Sequence, residues 1–221
     1  MILLLSVVMI TKNEESSVRE VISDIRKYTS DAELLIVDSS TDKTPEIAEE
    51  LGVKVIRQFP PQGYGPAMDK ALRSSSGKYV ITLDCDNTYP AEMIPQLVNI
   101  AQEGNFDLID CCRLGKKPKA MPLINYIANL GFGIFASILF GKKLLDLHSG
   151  MRLYKKSMLD QIEFKVKGAA LPVELLLKPI RLGYKVKIIN INYKERIGVS
   201  TMQPLPSAWW TFKRILSVRF S

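Results

Sequence analysis

Two aspartates separated by one residue, Asp84 and Asp86, close an apolar run in Tyr79-Val-Ile-Thr-Leu-Asp-Cys-Asp-Asn-Thr-Tyr-Pro90. Extended backbone places residues i and i+2 on one face, so both carboxylates point the same way while Cys85 turns back toward the interior. Oxygen donors at the carboxyl end of a parallel strand suit a hard cation such as Mg²⁺ or Mn²⁺, and such a cation can hold a diphosphate. A lone Asp-x-Asp is also met as a solvated strand end, so the surrounding residues must decide between the two.

The elements needed to position these carboxylates are legible in the first half of the chain. Leu3–Ile10 reads as a strand, a helical pattern runs from about Glu15 to Tyr28, and Glu33–Asp38 is a second strand. A short helix opens near Thr44-Pro45, with proline in the favoured first turn. Asp42 with Thr44 reads as the cap of that helix. Val53–Arg57, a helix over Pro66–Ser75, Tyr79–Leu83, a helix from about Ala91 to Glu103, and Phe106–Cys111 follow. Repeated units of this length predict a doubly wound parallel sheet, whose ligands sit beyond the carboxyl ends of its strands. Asn13-Glu14, Asp38 and the Asp84/Asp86 pair all fall at such ends, where one cleft can collect them.

Composition narrows the partners. With 221 residues the chain can bury a real core, and its net charge of +7 points to an anion: nucleotide, phosphate, nucleic acid or an anionic membrane face. No zinc-finger or RNP pattern and no aromatic-interleaved basic patch is present, which disfavours nucleic acid. Cys85, Cys111 and Cys112 form no C-x-x-C pair, so no disulfide framework is expected and a reducing compartment fits. The apolar start, Met1–Ile10, lacks a basic leader and runs into Lys12, Glu14 and Glu15, as a buried first strand does and a signal peptide does not.

The second half is organised differently. From Ala120 to Gly141 no charged residue occurs, and lysines flank the segment: Lys116, Lys117 and Lys119 before it, Lys142 and Lys143 after it. A buried helix pair, an interfacial amphipathic segment and a membrane span all match that composition. Pro122, Asn125, Asn129, Gly131 and Gly133 interrupt it, and a span would separate the carboxylates from the polar residues that follow; the interfacial reading is preferred. A helix through Pro172–Leu182, a strand through Val186–Tyr193 and a last helix after Pro206 complete the chain. That last helix sets Trp209, Trp210 and Phe212 among Lys213, Arg214 and Arg219, which suits a membrane surface or packing onto the sheet.

Several segments, in chain order, resemble family 2 glycosyltransferases of the GT-A fold. Ser6-Val-Val-Met-Ile-Thr-Lys-Asn-Glu-Glu15 resembles their first strand and Asn-Glu turn, and Leu35-Ile-Val-Asp-Ser-Ser-Thr-Asp-Lys-Thr44 their second strand and its loop. Gly63-Tyr-Gly-Pro-Ala67 and Ser76-Gly-Lys-Tyr79 match the elements that precede the Asp-x-Asp strand. Asp84-Cys-Asp-Asn-Thr-Tyr-Pro-Ala-Glu-Met-Ile-Pro95 is similar to the form found in dolichyl- and polyprenyl-phosphate hexose (mannose or glucose) synthases. The likeness continues through Leu139-Phe-Gly141, Asp146-Leu-His-Ser-Gly-Met-Arg152, Glu174 and Tyr193-Lys-Glu-Arg-Ile-Gly-Val-Ser200, and so covers nearly the whole chain.

The resemblance implies an α/β GT-A fold, Rossmann-like, doubly wound and mainly parallel, with a smaller acceptor-side region and amphipathic interfacial helices. It implies one domain over 1–221, with the nucleotide sugar on 1–115 and the acceptor on 116–221. The implied reaction is a metal-dependent, inverting transfer of a hexose from a GDP- or UDP-hexose to dolichyl or polyprenyl phosphate. The implied place is cytoplasmic, peripherally associated with the cytosolic membrane face. Asn13, Glu14, Asp38, Gly63, Gly65, Asp84 and Asp86 are the implied donor contacts, and Asp84, Asp86 and Thr88 the ligands of Mg²⁺ or Mn²⁺. Arg113, Ser149, Arg152 and Arg196 are the implied acceptor-phosphate contacts; Asp86, Arg113 and Arg196 form the implied catalytic set. Arg152 has a structural alternative, pairing with Asp146 or Glu174, and His148, the single histidine, reads as structural. A soluble phosphorylated acceptor such as a phosphoglycerate fits the same cations. A catalytically silent nucleotide-sugar-binding protein is the reading that the departures Asp69, Thr88 and Thr201 would favour.

Overall fold

The computed structural model describes residues 4–119, 121–168, 170–197 and 204–220. Its first half is β1 (Leu5–Thr11), α1 (Val18–Tyr28), β2 (Glu33–Asp38), α2 (Thr44–Glu50), β3 (Lys54–Arg57), α3 (Tyr64–Ser74), β4 (Tyr79–Thr82), α4 (Ile94–Glu103) and β5 (Leu108–Cys112). The second half adds α5 (Leu123–Phe140), β6 (Arg152–Lys155), α6 (Lys156–Gln161), α7 (Leu171–Arg181), β7 (Val186–Asn190) and α8 (Pro204–Phe220). The strands form one sheet in the order β3-β2-β1-β4-β6-β5-β7, parallel throughout except for β6, which runs antiparallel to β4 and β5.

The unbroken apolar runs of β1 and β2 are what a sheet covered on both faces requires. Val7, Met9, Leu34 and Ile36 pack with Ile22, Ile25 and Leu97 on one side, while Val8, Leu35 and Val37 pack with Met68, Leu72 and Leu176 on the other. Cys111 and Cys112 fall into separate apolar clusters, as alternation along a strand demands.

Several boundaries move for local reasons. The Glu14 carbonyl accepts from the Ser17 and Val18 amides at 3.0 and 2.9 Å, closing a turn before α1 can start. β7 ends at Asn190, not Tyr193, because the chain then leaves β5 for another partner. The Lys194 and Ile197 amides donate to the Thr88 and Asp86 carbonyls at 2.9 and 3.0 Å. β6 and α6 occupy 152–161, where the sequence pattern indicated no element. Four residues with charged ends show no apolar run; Arg152 is accepted into mid-sheet because its Nε–H donates to Asp110 Oδ1 on adjacent β5 at 2.5 Å.

The charge-free segment forms a single helix, α5, and not a core pair. Only its Gly133 and Ala136 are buried, while Leu123, Ile124, Ile127, Ile134 and Ile138 are exposed. By length and composition it is apolar enough to cross a membrane. It lies against α8, where Phe135 stacks on Phe212 with ring centroids 5.5 Å apart. α8 also exposes Trp209 and Phe220, with Lys213 above the Trp209 ring at 4.7 Å. Arg214 departs from the surface pattern: it is buried and donates to Glu174 and to the Lys165 and Lys167 carbonyls.

Candidate active site

β4 stops at Thr82, so Asp84 and Asp86 stand on the loop beyond the strand, and Cys85 between them is buried in the core. Thr88 is engaged with Asp86. Its hydroxyl and amide donate to Asp86 Oδ1 at 2.6 and 3.2 Å, fixing that carboxylate from within the fold. The other oxygen, Asp86 Oδ2, meets Arg196 Nη1 at 3.2 Å, and Arg196 Nη2 lies 3.5 Å from Glu14 Oε1. The strap 194–197, hydrogen-bonded along 86–88, carries Arg196 to this position. The end of that strap's motif, Gly198-Val199-Ser200, lies outside the described residues, as does Thr201.

Two carboxylates, Glu14 and Asp86, therefore share one partly exposed guanidinium, and Asp84 stands within reach of the charges of both Arg113 and Arg196. Burial pushes the Asp84 carboxyl up to about 6, with Asp86 adding to the shift and Arg113 and Arg196 opposing it. Burial also raises Glu14, against the pull of Arg196 and with the help of Asp86. Gly150 sits against Asp84: a Cβ there would lie 2.5 Å from Asp84 Oδ2. The Gly150 amide donates to the Tyr89 hydroxyl at 2.6 Å and its carbonyl accepts from Thr82 Oγ1 at 2.7 Å, so the close approach is built in. Sequence reasoning passed over Gly150 and Tyr89; the Ser149-Gly150 dipeptide inside the matched motif was the available signal.

Asp38 lies at the end of β2, fully buried, with its acceptor positions taken by protein. Oδ1 accepts from Thr11 and Ser40 hydroxyls at 2.6 Å each, and Oδ2 from the Ser40 amide at 2.9 Å and Arg57 Nη1 at 2.6 Å. It organises the loop instead of presenting an open carboxylate to a base. Asn13, at φ 60°, accepts from the Thr41 amide at 2.9 Å and so ties the β1 loop to the β2 loop. Asp42 Oδ1 accepts from the Thr44 amide at 3.0 Å, but the N-cap position of α2 is Lys43, so Asp42 braces the turn just before the helix. Gly63 takes φ 93°, which only glycine adopts without strain, and opens α3. Gly65 answers to packing: a Cβ there would collide with the Val166 carbonyl oxygen.

The expected acceptor cluster divides. Arg113 grips Asp146 with Nε at 2.7 Å and Nη2 at 2.9 Å, and lies over the Tyr193 ring at 5.2 Å. Burial would raise the Asp146 carboxyl, but Arg113 holds it down at about 2. Among the described residues, no group bonds Arg113 Nη1. Arg152 and Ser149 face inward, contrary to expectation. Arg152 is buried on Asp110 and the Pro172 and Leu147 carbonyls, so its partner is neither Asp146 nor Glu174. Ser149 is buried and donates to the Cys111 carbonyl at 2.5 Å. His148 Nε2 lies 3.0 Å from Thr211 Oγ1 on α8, and burial pushes its imidazole down to about 4: a structural histidine, neutral near pH 7.

Among the described residues no third acid, histidine or cysteine joins Asp84 and Asp86 to make a protein-only metal site. The two carboxylates still fit a cation of the Mg²⁺ type, which is commonly held by one or two carboxylates together with substrate phosphates. Burial, more than the neighbouring carboxylates, raises Asp84 and Glu14, and a cation bound there would favour their charged forms.

Residues 6–163 match the profile of Glycosyl transferase family 2. The chain is 38% identical over 215 residues to a dolichyl-phosphate hexose transferase of Haloferax volcanii, covering 97% of this chain and 93% of that protein. It is 32% identical to the low-salt glycan biosynthesis hexosyltransferase Agl6 of the same organism, over 93% of this chain and 51% of that longer one. A crystal structure of glucosyl-3-phosphoglycerate synthase from Mycobacterium tuberculosis with Mn²⁺, UDP and phosphoglyceric acid superposes with a TM-score of 0.78 at 23% identity. The match covers 98% of this chain and 78% of that one, and it establishes likeness of fold.

Proposed function

This chain belongs to glycosyl transferase family 2 and has the GT-A fold, and from that premise we propose that it moves a hexose from a GDP- or UDP-hexose to a dolichyl or polyprenyl phosphate. The observation that carries the reading is the carboxylate edge of Glu14, Asp84 and Asp86 around Arg196, set in a chain whose longest helix exposes an apolar flank. The likeness to the 38%-identical dolichyl-phosphate hexose transferase supports the lipid acceptor. The Mn²⁺ and UDP of the structural neighbour support a divalent cation and a nucleotide donor. On this reading residues 1–115 hold the donor and 116–221 serve the acceptor. The exposed aromatics of α8 and the apolar flank of α5 rest on the cytosolic membrane face.

Asp84 and Asp86 would hold Mg²⁺ or Mn²⁺, which when bound acts as a Lewis acid on the departing diphosphate. The chain's own residues do the rest. Thr88 fixes Asp86 Oδ1, and Oδ2 turns to Arg196. Arg196, on its strap, adds positive charge where the leaving group gathers negative charge. Arg113, anchored by Asp146, keeps its Nη1 donors for an acceptor phosphate. That phosphate needs no general base, because its second pKa is about 6 and its oxygens are already ionised near neutral pH. Attack in line with the departing diphosphate inverts the anomeric carbon.

The test is transfer of labelled hexose from GDP- and UDP-sugars, with Mn²⁺, into polyprenyl phosphate, with 3-phosphoglycerate as a parallel acceptor. Labelled lipid that disappears with Asp86→Asn supports the proposal. Label entering only 3-phosphoglycerate, or none entering lipid, overturns it.

A further inference from the structure

β5 and β7 run parallel as far as the Cys112 and Asn190 pair and then part. Between the diverging segments 113–119 and 190–195 lies an open pocket of about 490 Å³. Arg113, Tyr193, Lys116, Lys117 and Lys119 line it, and Glu195 is the one acid on its wall; Arg113 also stands close enough to Asp84 to act on its charge. The pocket opens beyond the carboxyl ends of two sheet strands, where ligands of such sheets sit.

The state of the cations decides what it can take. Arg152 is committed to Asp110, Arg196 to Glu14 and Asp86, and most of Arg113 to Asp146. Among the described residues, Lys116, Lys117 and Lys119 make no hydrogen bond or ion pair. Three unneutralised ammonium groups in one cleft focus a positive potential and raise the local concentration of an anion. α5 starts four positions after Lys119, and its first exposed residues, Leu123, Ile124 and Ile127, set an apolar surface near this cationic one. A phosphate joined to a long hydrocarbon matches both surfaces together.

Resting on the function proposed above, we propose that this pocket is where the lipid acceptor's phosphate is captured. Lys116, Lys117 and Lys119 draw in the lipid monophosphate, its chain lies along the exposed flank of α5, and the phosphate reaches the Nη1 of Arg113. The lysines thereby replace Ser149 and Arg152, which the fold has turned inward.

Calorimetric titration with farnesyl phosphate tests this in the wild-type protein and in the K116Q/K117Q/K119Q variant. The dissociation constant should rise at least tenfold in the variant and return toward wild type in K116R/K117R/K119R. Unchanged GDP or UDP binding in the presence of Mn²⁺ should confirm that the variant is folded. Equal affinity of wild type and variant for farnesyl phosphate, or no binding by wild type, overturns the proposal. So does an equal loss with farnesol, which carries no phosphate. Loss of binding to phosphatidylglycerol vesicles with farnesyl phosphate affinity intact would also overturn it, because the lysines would then read the bilayer and not the acceptor. If farnesyl phosphate binding depends on the lysines but no sugar reaches any lipid phosphate, the pocket stands and the reaction assigned above fails.

Discussion

Along the carboxyl edge of one sheet, two neighbouring regions leave opposite charges uncompensated. Around β1 and β4, Glu14 and Asp86 share Arg196, and Asp84 beside them has no ion pair of its own among the described residues. Beyond β5 and β7, three lysines face one glutamate across an open pocket. Between them stands a region in balance, with Arg113 closed on Asp146 and stacked on Tyr193, itself edge-on to Tyr89 at 5.5 Å. The contrast separates charge kept for the fold from charge kept for a ligand. Arg152 with Asp110 is buried and complete; the acids around Arg196 and the lysines beyond Arg113 are not.

Breaking the complete pair should have the largest effect on the fold. Arg152→Met leaves Asp110 buried without its cation and should cost about 3–5 kcal/mol in denaturant unfolding. Arg196→Gln removes a partly exposed guanidinium whose loss water and the Thr88 hydrogen bonds to Asp86 can offset; it should cost less than Arg152→Met, about 1 kcal/mol, while hexose transfer falls by about a hundredfold. Equal destabilisation by the two would erase the distinction. Gly150→Ala comes next. Its methyl would press on Asp84, so a stability loss of about 1–3 kcal/mol is expected from overpacking, together with weaker Mn²⁺-dependent nucleotide binding.

The last effect is a pH dependence. Asp84 titrates at about 6 in the folded protein and near 4 when unfolded. Between those values the folded state holds a proton that the unfolded state has released. Stability from this group therefore falls as pH rises from about 4 to about 6 and stays lower above that. Asp84→Asn should flatten that slope, to which the raised Glu14 and Asp110 also contribute, and stabilise the protein at pH 7 by about 2–3 kcal/mol in thermal or denaturant unfolding. An unaltered slope would show that Asp84 is not the strained acid.

These results divide what local sequence can and cannot carry. The βα alternation was legible because its periodicities are local, and so was the Asp84/Asp86 pair. β6 was not, because Arg152 becomes a strand residue only through Asp110, 42 positions away. Arg113, Arg152 and Arg196 look alike as letters; which carboxylate each one meets depends on the strand order β4-β6-β5-β7 and on the strap after β7. Asp38 was visible as a strand-end acid, but the four donors that occupy it come from β1, its own loop and β3. For α5 the sequence shows apolarity, whereas exposure depends on which neighbours cover it.

The most direct measurement of the central claim is titration of the protein with GDP and with UDP, with and without Mn²⁺, in wild type and Asp86→Asn. Binding of one nucleotide that requires Mn²⁺ and disappears in Asp86→Asn is the predicted result. Equal binding with and without the cation, unaffected by Asp86→Asn, would contradict the assignment of this carboxylate edge to a cation and diphosphate.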